Sequence, residues 1–119
     1  TALSFDNYSA GKKPERFQKD ANYIEGDIRS LEALHAAMKG MDGVFHIAAV
    51  PRVPYSVEHP LETNEHNVTG TINVLLAAKD AGVKRVIFAT SSSVYGIVMM
   101  TSLLNCEMSS PLSDRASNV

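Results

Sequence analysis

The stretch Lys84-Arg85-Val86-Ile87-Phe88-Ala89-Thr90-Ser91-Ser92-Ser93-Val94-Tyr95-Gly96 constrains the fold more than any other part of the chain. An unbroken Val-Ile-Phe-Ala run between a helical pattern and a row of hydroxyls suits a parallel strand buried on both faces. In open α/β sheets ligands sit beyond the carboxyl ends of such strands, and Ser91, Ser92 and Ser93 fall there. The competing explanation is a serine-rich turn whose hydroxyls satisfy backbone groups.

The segments before it follow an alternating order. Thr1-Ala2-Leu3-Ser4-Phe5 has the pattern of the last part of a strand, followed at once by Asp6, Asn7 and the turn residues Ser9, Gly11 and Pro14. Asn22-Tyr23-Ile24-Glu25 is a second strand closed by Gly26-Asp27. Ser30 is placed to cap a helix with Glu32 in its first turn, Leu31, Leu34 and Met38 on one face and Gly40 at its end. Gly43 to Ala49 is a third strand and Val50 to Pro54 a loop. Pro60 and Leu61 open a long helix with Leu61, Val68, Ile72, Leu75 and Leu76 along its expected buried side, stopped by Gly82. Gly70 inside it costs about 1 kcal/mol relative to alanine, so a close helix-to-sheet contact is the expected reason for it. Strand, strand, helix, strand, helix, strand with short connections defines a doubly wound α/β fold. From Thr101 to Val119 no period persists, and no internal repeat is present.

Size and charge narrow the function. With 119 residues the chain makes one domain at most, enough for a core but short for a whole enzyme. A hydrophobic fraction of 45%, a charged fraction of 20% and a formal charge of −2 offer no basic surface for nucleic acid or an anionic membrane. Cys106 is the single cysteine, which points to a reducing, cytoplasmic setting. No apolar run approaches the roughly 18 residues that span a bilayer, and no signal-peptide layout is expected. Asn7-Tyr8-Ser9 and Asn67-Val68-Thr69 match the glycosylation pattern by chance.

Several polar residues stand where chemistry is done in such folds. Asp6 follows a strand, where an acid either accepts hydrogen bonds from an adenosine ribose and repels a 2′-phosphate, or merely starts a turn. Asp27 stands at an adenine edge or caps the next segment. Asn64, Asn67 and Thr71 share one helix face; taken alone these polar residues suit solvent, the alternative being a cofactor across the sheet edge. His35, His46, His59 and His66 have no metal-ligand spacing with Cys106 or the acids, and His46, inside an apolar strand, is expected to be buried and hydrogen-bonded.

Six fragments in order carry a resemblance: Phe5-Asp6-Asn7, Gly26-Asp27-Ile28-Arg29, His46-Ile47-Ala48-Ala49, Asn67-Val68-Thr69-Gly70-Thr71, Val83-Lys84-Arg85 and Ser91 to Gly96. Together they resemble the extended short-chain dehydrogenase/reductases, and among these the nucleotide-sugar 4-epimerases. Arg52 to Pro60 resembles the loop that UDP-sugar epimerases place beside the sugar, which makes Val53 a substrate-side residue. The resemblance implies a Rossmann-like, NAD-binding domain over residues 1–96 and an irregular tail over 97–119. It places Asp6 and Asn7 on the adenosine ribose, Asp27 and Ile28 at the adenine, and Ala48, Ala49 and Ala89 along the dinucleotide. Asn67 steadies the loops near the cofactor. Ser91, with Ser92 as the alternative register, matches the residue that hydrogen-bonds the sugar hydroxyl being oxidised. In the family a tyrosine removes that proton, a lysine lowers the tyrosine pKa, and hydride moves between C4 and NAD.

Two departures stand out. The family opens with a strand and a glycine-rich turn that holds the pyrophosphate, and the sequence starts after that unit. In the order 3-2-1-4-5-6 that strand is central, so an incomplete sheet with two unpaired inner edges is expected. At the far end, Arg115 falls where the tyrosine belongs and Val119 where the lysine belongs, and neither does that work. Tyr95 is structural in the family. The resemblance therefore implies a UDP-hexose 4-epimerase with a nucleotide-sugar substrate and a homodimer formed through two long helices. The alternatives are a catalytically inactive nucleotide-binding module and a sugar-nucleotide dehydratase or reductase. Dehydratases usually carry Thr-Asp-Glu where Ser91-Ser92-Ser93 stands here.

Overall fold

A computed structural model of the protein describes residues 2–91. Four strands are present: β1 (Ala2–Asp6), β2 (Ala21–Glu25), β3 (Gly43–His46) and β4 (Arg85–Phe88). They are joined through α1 (Leu31–Met38), α2 (Val53–Glu58), α3 (Pro60–Asn64) and α4 (Gly70–Asp80), with a short 3₁₀ turn at Pro14–Arg16. Residues 2–89 form one unit, and the chain from Thr90 onward belongs to a second.

All pairing is parallel, as the alternating pattern requires, but the strands make two separate ladders. β1 lies beside β2, with Leu3 opposite Asn22 and Phe5 opposite Ile24. β3 lies beside β4, with Val44 opposite Val86 and His46 opposite Phe88. No strand joins β1 to β3 among the described residues, which is the incomplete sheet expected from the sequence.

Local chemistry sets the helix ends. Ser30 Oγ accepts from Ala33 N at 3.3 Å, satisfying one of the donors left open at the start of α1. Gly40 stops the same helix at φ +72°, a conformation that side chains with a Cβ adopt at a cost. From α3 to α4 the backbone remains helical, with a wider π-turn over Glu65–Thr69.

The core gathers Leu34 and Met38 of α1 with Val74, Ala77 and Ala78 of α4, and Phe5, Ile28, Val44 and Val86 pack against it. This corrects the expected face of the long helix. Leu61, Val68, Ile72, Leu75 and Leu76 are exposed, whereas His66, Gly70, Val74, Ala77 and Ala78 are buried. Small side chains let α4 approach its neighbours closely, so the inward face is the small one and the bulky apolar face looks out. The expected double burial of the fourth strand is corrected too. Ile87 and Phe88 are exposed, and so is Phe45 on the paired strand. Helices cover one face of this ladder, and the described residues leave the other open. The loop expected over Val50 to Pro54 is also shortened. α2 begins at Val53, with Pro54 in its first turn, where a missing N–H costs nothing, and Arg52 before it at φ +92°.

Gly70 marks the tight contact expected of it. A Cβ there would stand 2.6 Å from Ile28 Cδ1 and 2.7 Å from Ile28 Cγ1. Gly70→Ala is therefore expected to destabilise by about 1 kcal/mol, overpacking of about 1–3 kcal/mol outweighing a helix gain of about 1 kcal/mol. In an Ile28→Ala background the same step should become stabilising, and a double-mutant cycle of urea midpoints reads the sign change.

Candidate functional site

The carboxyl ends of β1 and β3 open onto one cavity of about 610 Å³. Asp6, Asn7, Tyr8 and Ser9 line it after β1, Gly26 and Ile28 after β2, and Ile47, Ala48, Ala49 and Val50 after β3. Of the residues the sequence assigned to a cofactor, Asp6, Asn7, Ile28, Ala48 and Ala49 thus share this cavity. Asp27 stands behind it, tied to Asn7 by a 3.2 Å hydrogen bond from Asn7 Nδ2. Ala89 meets the end of β3 by donating its N–H to the His46 carbonyl. Val53 is exposed on α2 outside the cavity lining. Ser91 is an exposed residue of the second unit. Ser92, Arg115 and Val119 lie outside the described residues.

Both acids make the local turns proposed for them as one alternative. Asp6 Oδ1 accepts from Tyr8 N at 2.7 Å, which bends the chain after β1. Asp27 Oδ1 accepts from Arg29 N at 2.9 Å and Arg29 Nε at 3.0 Å, while Oδ2 accepts from Arg29 Nη2 at 2.9 Å and from Asn7. These fill the roughly four acceptor positions of the carboxylate. The hydrogen bonds from the Arg29 side chain, the largest influence, hold the Asp27 carboxyl well below the usual carboxylate range, so it is ionised at neutral pH.

A second network fixes the loop after β3. Asn67 Nδ2 donates to Val50 O at 3.0 Å, and Asn67 Oδ1 accepts from Val50 N at 2.8 Å. The loop backbone, where no ladder serves it, is satisfied by one side chain. Thr71 Oγ1 donates its only proton to Asn67 O, so it accepts from His46 Nε2 at 2.9 Å. Asn67 and Thr71 therefore turn toward the sheet edge instead of solvent, and only Asn64 of that trio is exposed.

His46 is 3% exposed, as expected of it, and its burial pushes the imidazole pKa below its ordinary value. As pH falls below about 6.5 the unfolded chain takes a proton on His46 before the folded chain does, so stability is lost toward acid. Thermal midpoints should fall more steeply between pH 7 and 5.5 for the native chain than for His46→Gln, which keeps a donor for Thr71.

Three residues were not picked out as part of the site. Arg29 grips Asp27, and its Nη1 stands 3.6 Å from Glu65. His66 lines the cavity, donates Nδ1–H to Glu62 O and places Nε2 3.8 Å from Asp27 Oδ2. Asn73 donates to the carbonyls of Ile28 and Arg29. An asparagine in mid-helix was the visible signal for the last.

Parallel strands whose tips carry acid, amide and small residues around one cavity define a nucleotide-binding α/β protein. Residues 2–113 match the family described as NAD dependent epimerase/dehydratase, and the chain belongs to that family. It is 44% identical over 82 residues to a UDP-glucose 4-epimerase of Klebsiella pneumoniae, covering 66% of this chain and 58% of that protein. The fold matches a UDP-N-acetylglucosamine 4-epimerase from Methanobrevibacter ruminantium M1 in complex with UDP-N-acetylmuramic acid. The TM-score is 0.72 at 35% identity, over 79% of this chain and 31% of that one. A UDP-glucose 4-epimerase from Bifidobacterium longum in complex with NAD+ and UDP gives a TM-score of 0.70 at 30% identity, over 79% and 30% of the two chains. The chain thus spans between about a third and three fifths of the length of these relatives.

Proposed function

We propose that the chain forms the strand-tip wall of an NAD-dependent nucleotide-sugar 4-epimerase acting on a UDP-hexose by transient oxidation at C4. The supporting observation is that Asp6, Asn7, Ile28, Ala48 and Ala49, drawn from three separate strand ends, line one cavity. These residues fit a dinucleotide: the Asp6 carboxylate has an oxygen beyond the one bound to Tyr8 N, and Ala48 and Ala49 leave the backbone approachable. Asp6 and Asn7 would hold the ribose hydroxyls, Asp27 and Ile28 the adenine, and Ala48, Ala49 and Ala89 the path of the dinucleotide. Asn67 fixes the Val50 loop, Val53 faces the sugar, and Ser91 hydrogen-bonds the sugar hydroxyl. Bound NAD supplies a reversible hydride acceptor.

Arg115 and Val119 favour a second reading, a nucleotide-binding module without turnover. Incubating the protein with UDP-glucose and NAD and analysing for UDP-galactose separates the two. Epimerisation supports the first, NAD binding without conversion supports the second, and neither binding nor conversion removes both. The exposed Leu61, Val68, Ile72, Leu75 and Leu76 support a homodimer through the long helix, which monomeric sedimentation of the whole protein would exclude. A cytoplasmic setting is supported by the lone Cys106 and would fall if the native protein were recovered from the secreted fraction. Among the described residues no helix is long and apolar enough to cross a membrane.

A further inference from the structure

β1 and β3 are each paired on one side only, and the cavity runs between their unpaired sides. Its walls are Leu3, Ser4 and Phe5 against Val44, Phe45 and His46, over a floor of Leu34, Met38 and Val74. The two strands point the same way. Asn7 beyond β1 bonds Asp27, Asp27 stands beside His66, and the next residue, Asn67, holds Val50 beyond β3, so both carboxyl tips lie at one end.

We propose that this slot is a docking site for one extended strand of a separate polypeptide segment, about five apolar β-branched residues long, lying parallel between β1 and β3 and pairing with both. The facing walls are two rows of peptide N–H and C=O groups, each of which costs about 1–3 kcal/mol if buried unpaired. A helix uses its own donors and acceptors internally and satisfies neither row. An extended chain rises about 3.3 Å per residue, in step with both edges, and offers groups to each side at once. Parallel orientation follows because a strand flanked on both sides by parallel neighbours is central, whereas antiparallel intruders occupy sheet edges. Apolar, β-branched composition follows from the Leu34, Met38 and Val74 floor on which alternate residues rest. The site concerns backbone pairing alone and does not depend on the NAD or sugar reading.

The test uses the full chain and a synthetic peptide of about five β-branched residues between two lysines, with a version carrying proline at its centre as control, and no nucleotide present. Amide exchange should slow at least about ten-fold at both Leu3–Phe5 and Val44–His46, the thermal midpoint should rise with peptide concentration, and the proline version should do neither. The proposal is overturned by no protection, by protection of one edge alone, or by equal effects of the proline version. It is overturned equally if both edges are already protected without peptide, whether by a second copy in a concentration-dependent way or by the chain's own residues.

Discussion

Truncating Leu34 to alanine is expected to lower stability by about 2–5 kcal/mol, the largest single effect foreseen for the core. Leu34 is 2% exposed and sits against Met38, Val74, Ala77 and Ala78. Its removal loses the transfer free energy of the side chain and leaves a void that α1 and α4 cannot close, because Ala77 and Ala78 already bring them together with minimal side chains. For a domain of this size each kcal/mol shifts the thermal midpoint by roughly 4–8 °C. A leucine on the outward face gives the contrast. Leu61 is 81% exposed, and Leu61→Ala should change stability by no more than about 0.5 kcal/mol at concentrations where the chain is monomeric. Calorimetry on the two variants decides the helix orientation, since equal losses would restore the bulky face to the core.

That orientation was where the sequence misled. Strand order, the Ser30 cap, the Gly40 stop and the tight contact at Gly70 were all legible, because each is written in local chemistry. Which side of the long helix faces inward is not local. Leu61, Val68, Ile72, Leu75 and Leu76 form the larger apolar stripe, and area alone favours burying them. The wide turn at Glu65–Thr69 shifts the stripe relative to a regular helix, and the space beside α1 admits only Gly70, Ala77 and Ala78 closely. The same limit applies to the site. Asp6, Asn7, Ile28, Ala48 and Ala49 could be placed at strand ends by counting along the chain, and the structure brings them to one cavity. The hold of Asn67 on Val50 and the approach of His66 to Asp27 arise from folding between distant segments, and no spacing rule announces them. Phe45, Ile87 and Phe88 have buried-strand composition but only one covered face.

Replacing Asp6 by asparagine is the sharpest probe of the proposed cofactor site, because it separates charge from shape. Asp6 Oδ1 accepts from Tyr8 N at 2.7 Å, and an asparagine carbonyl can make the same turn, so thermal stability should stay within about 0.5 kcal/mol of the native value. What changes is the acceptor offered to the cavity. A hydrogen bond to a charged group is worth about 1.5–3 kcal/mol against about 0.5–1.5 kcal/mol for a neutral one. For one ribose hydroxyl that difference is about ten-fold in affinity, and more if two hydroxyls are held. Asp6→Asn should therefore weaken NAD at least about ten-fold in a calorimetric titration. It should weaken NADP less or even strengthen it, because the repulsion between a carboxylate and a 2′-phosphate disappears. Asp6→Ala adds loss of the turn and should lower stability as well as affinity, which distinguishes a folding defect from a binding defect. Equal NAD affinity in the native chain and in Asp6→Asn, with the midpoint unchanged, would leave Asp6 as the first residue of a turn and nothing more.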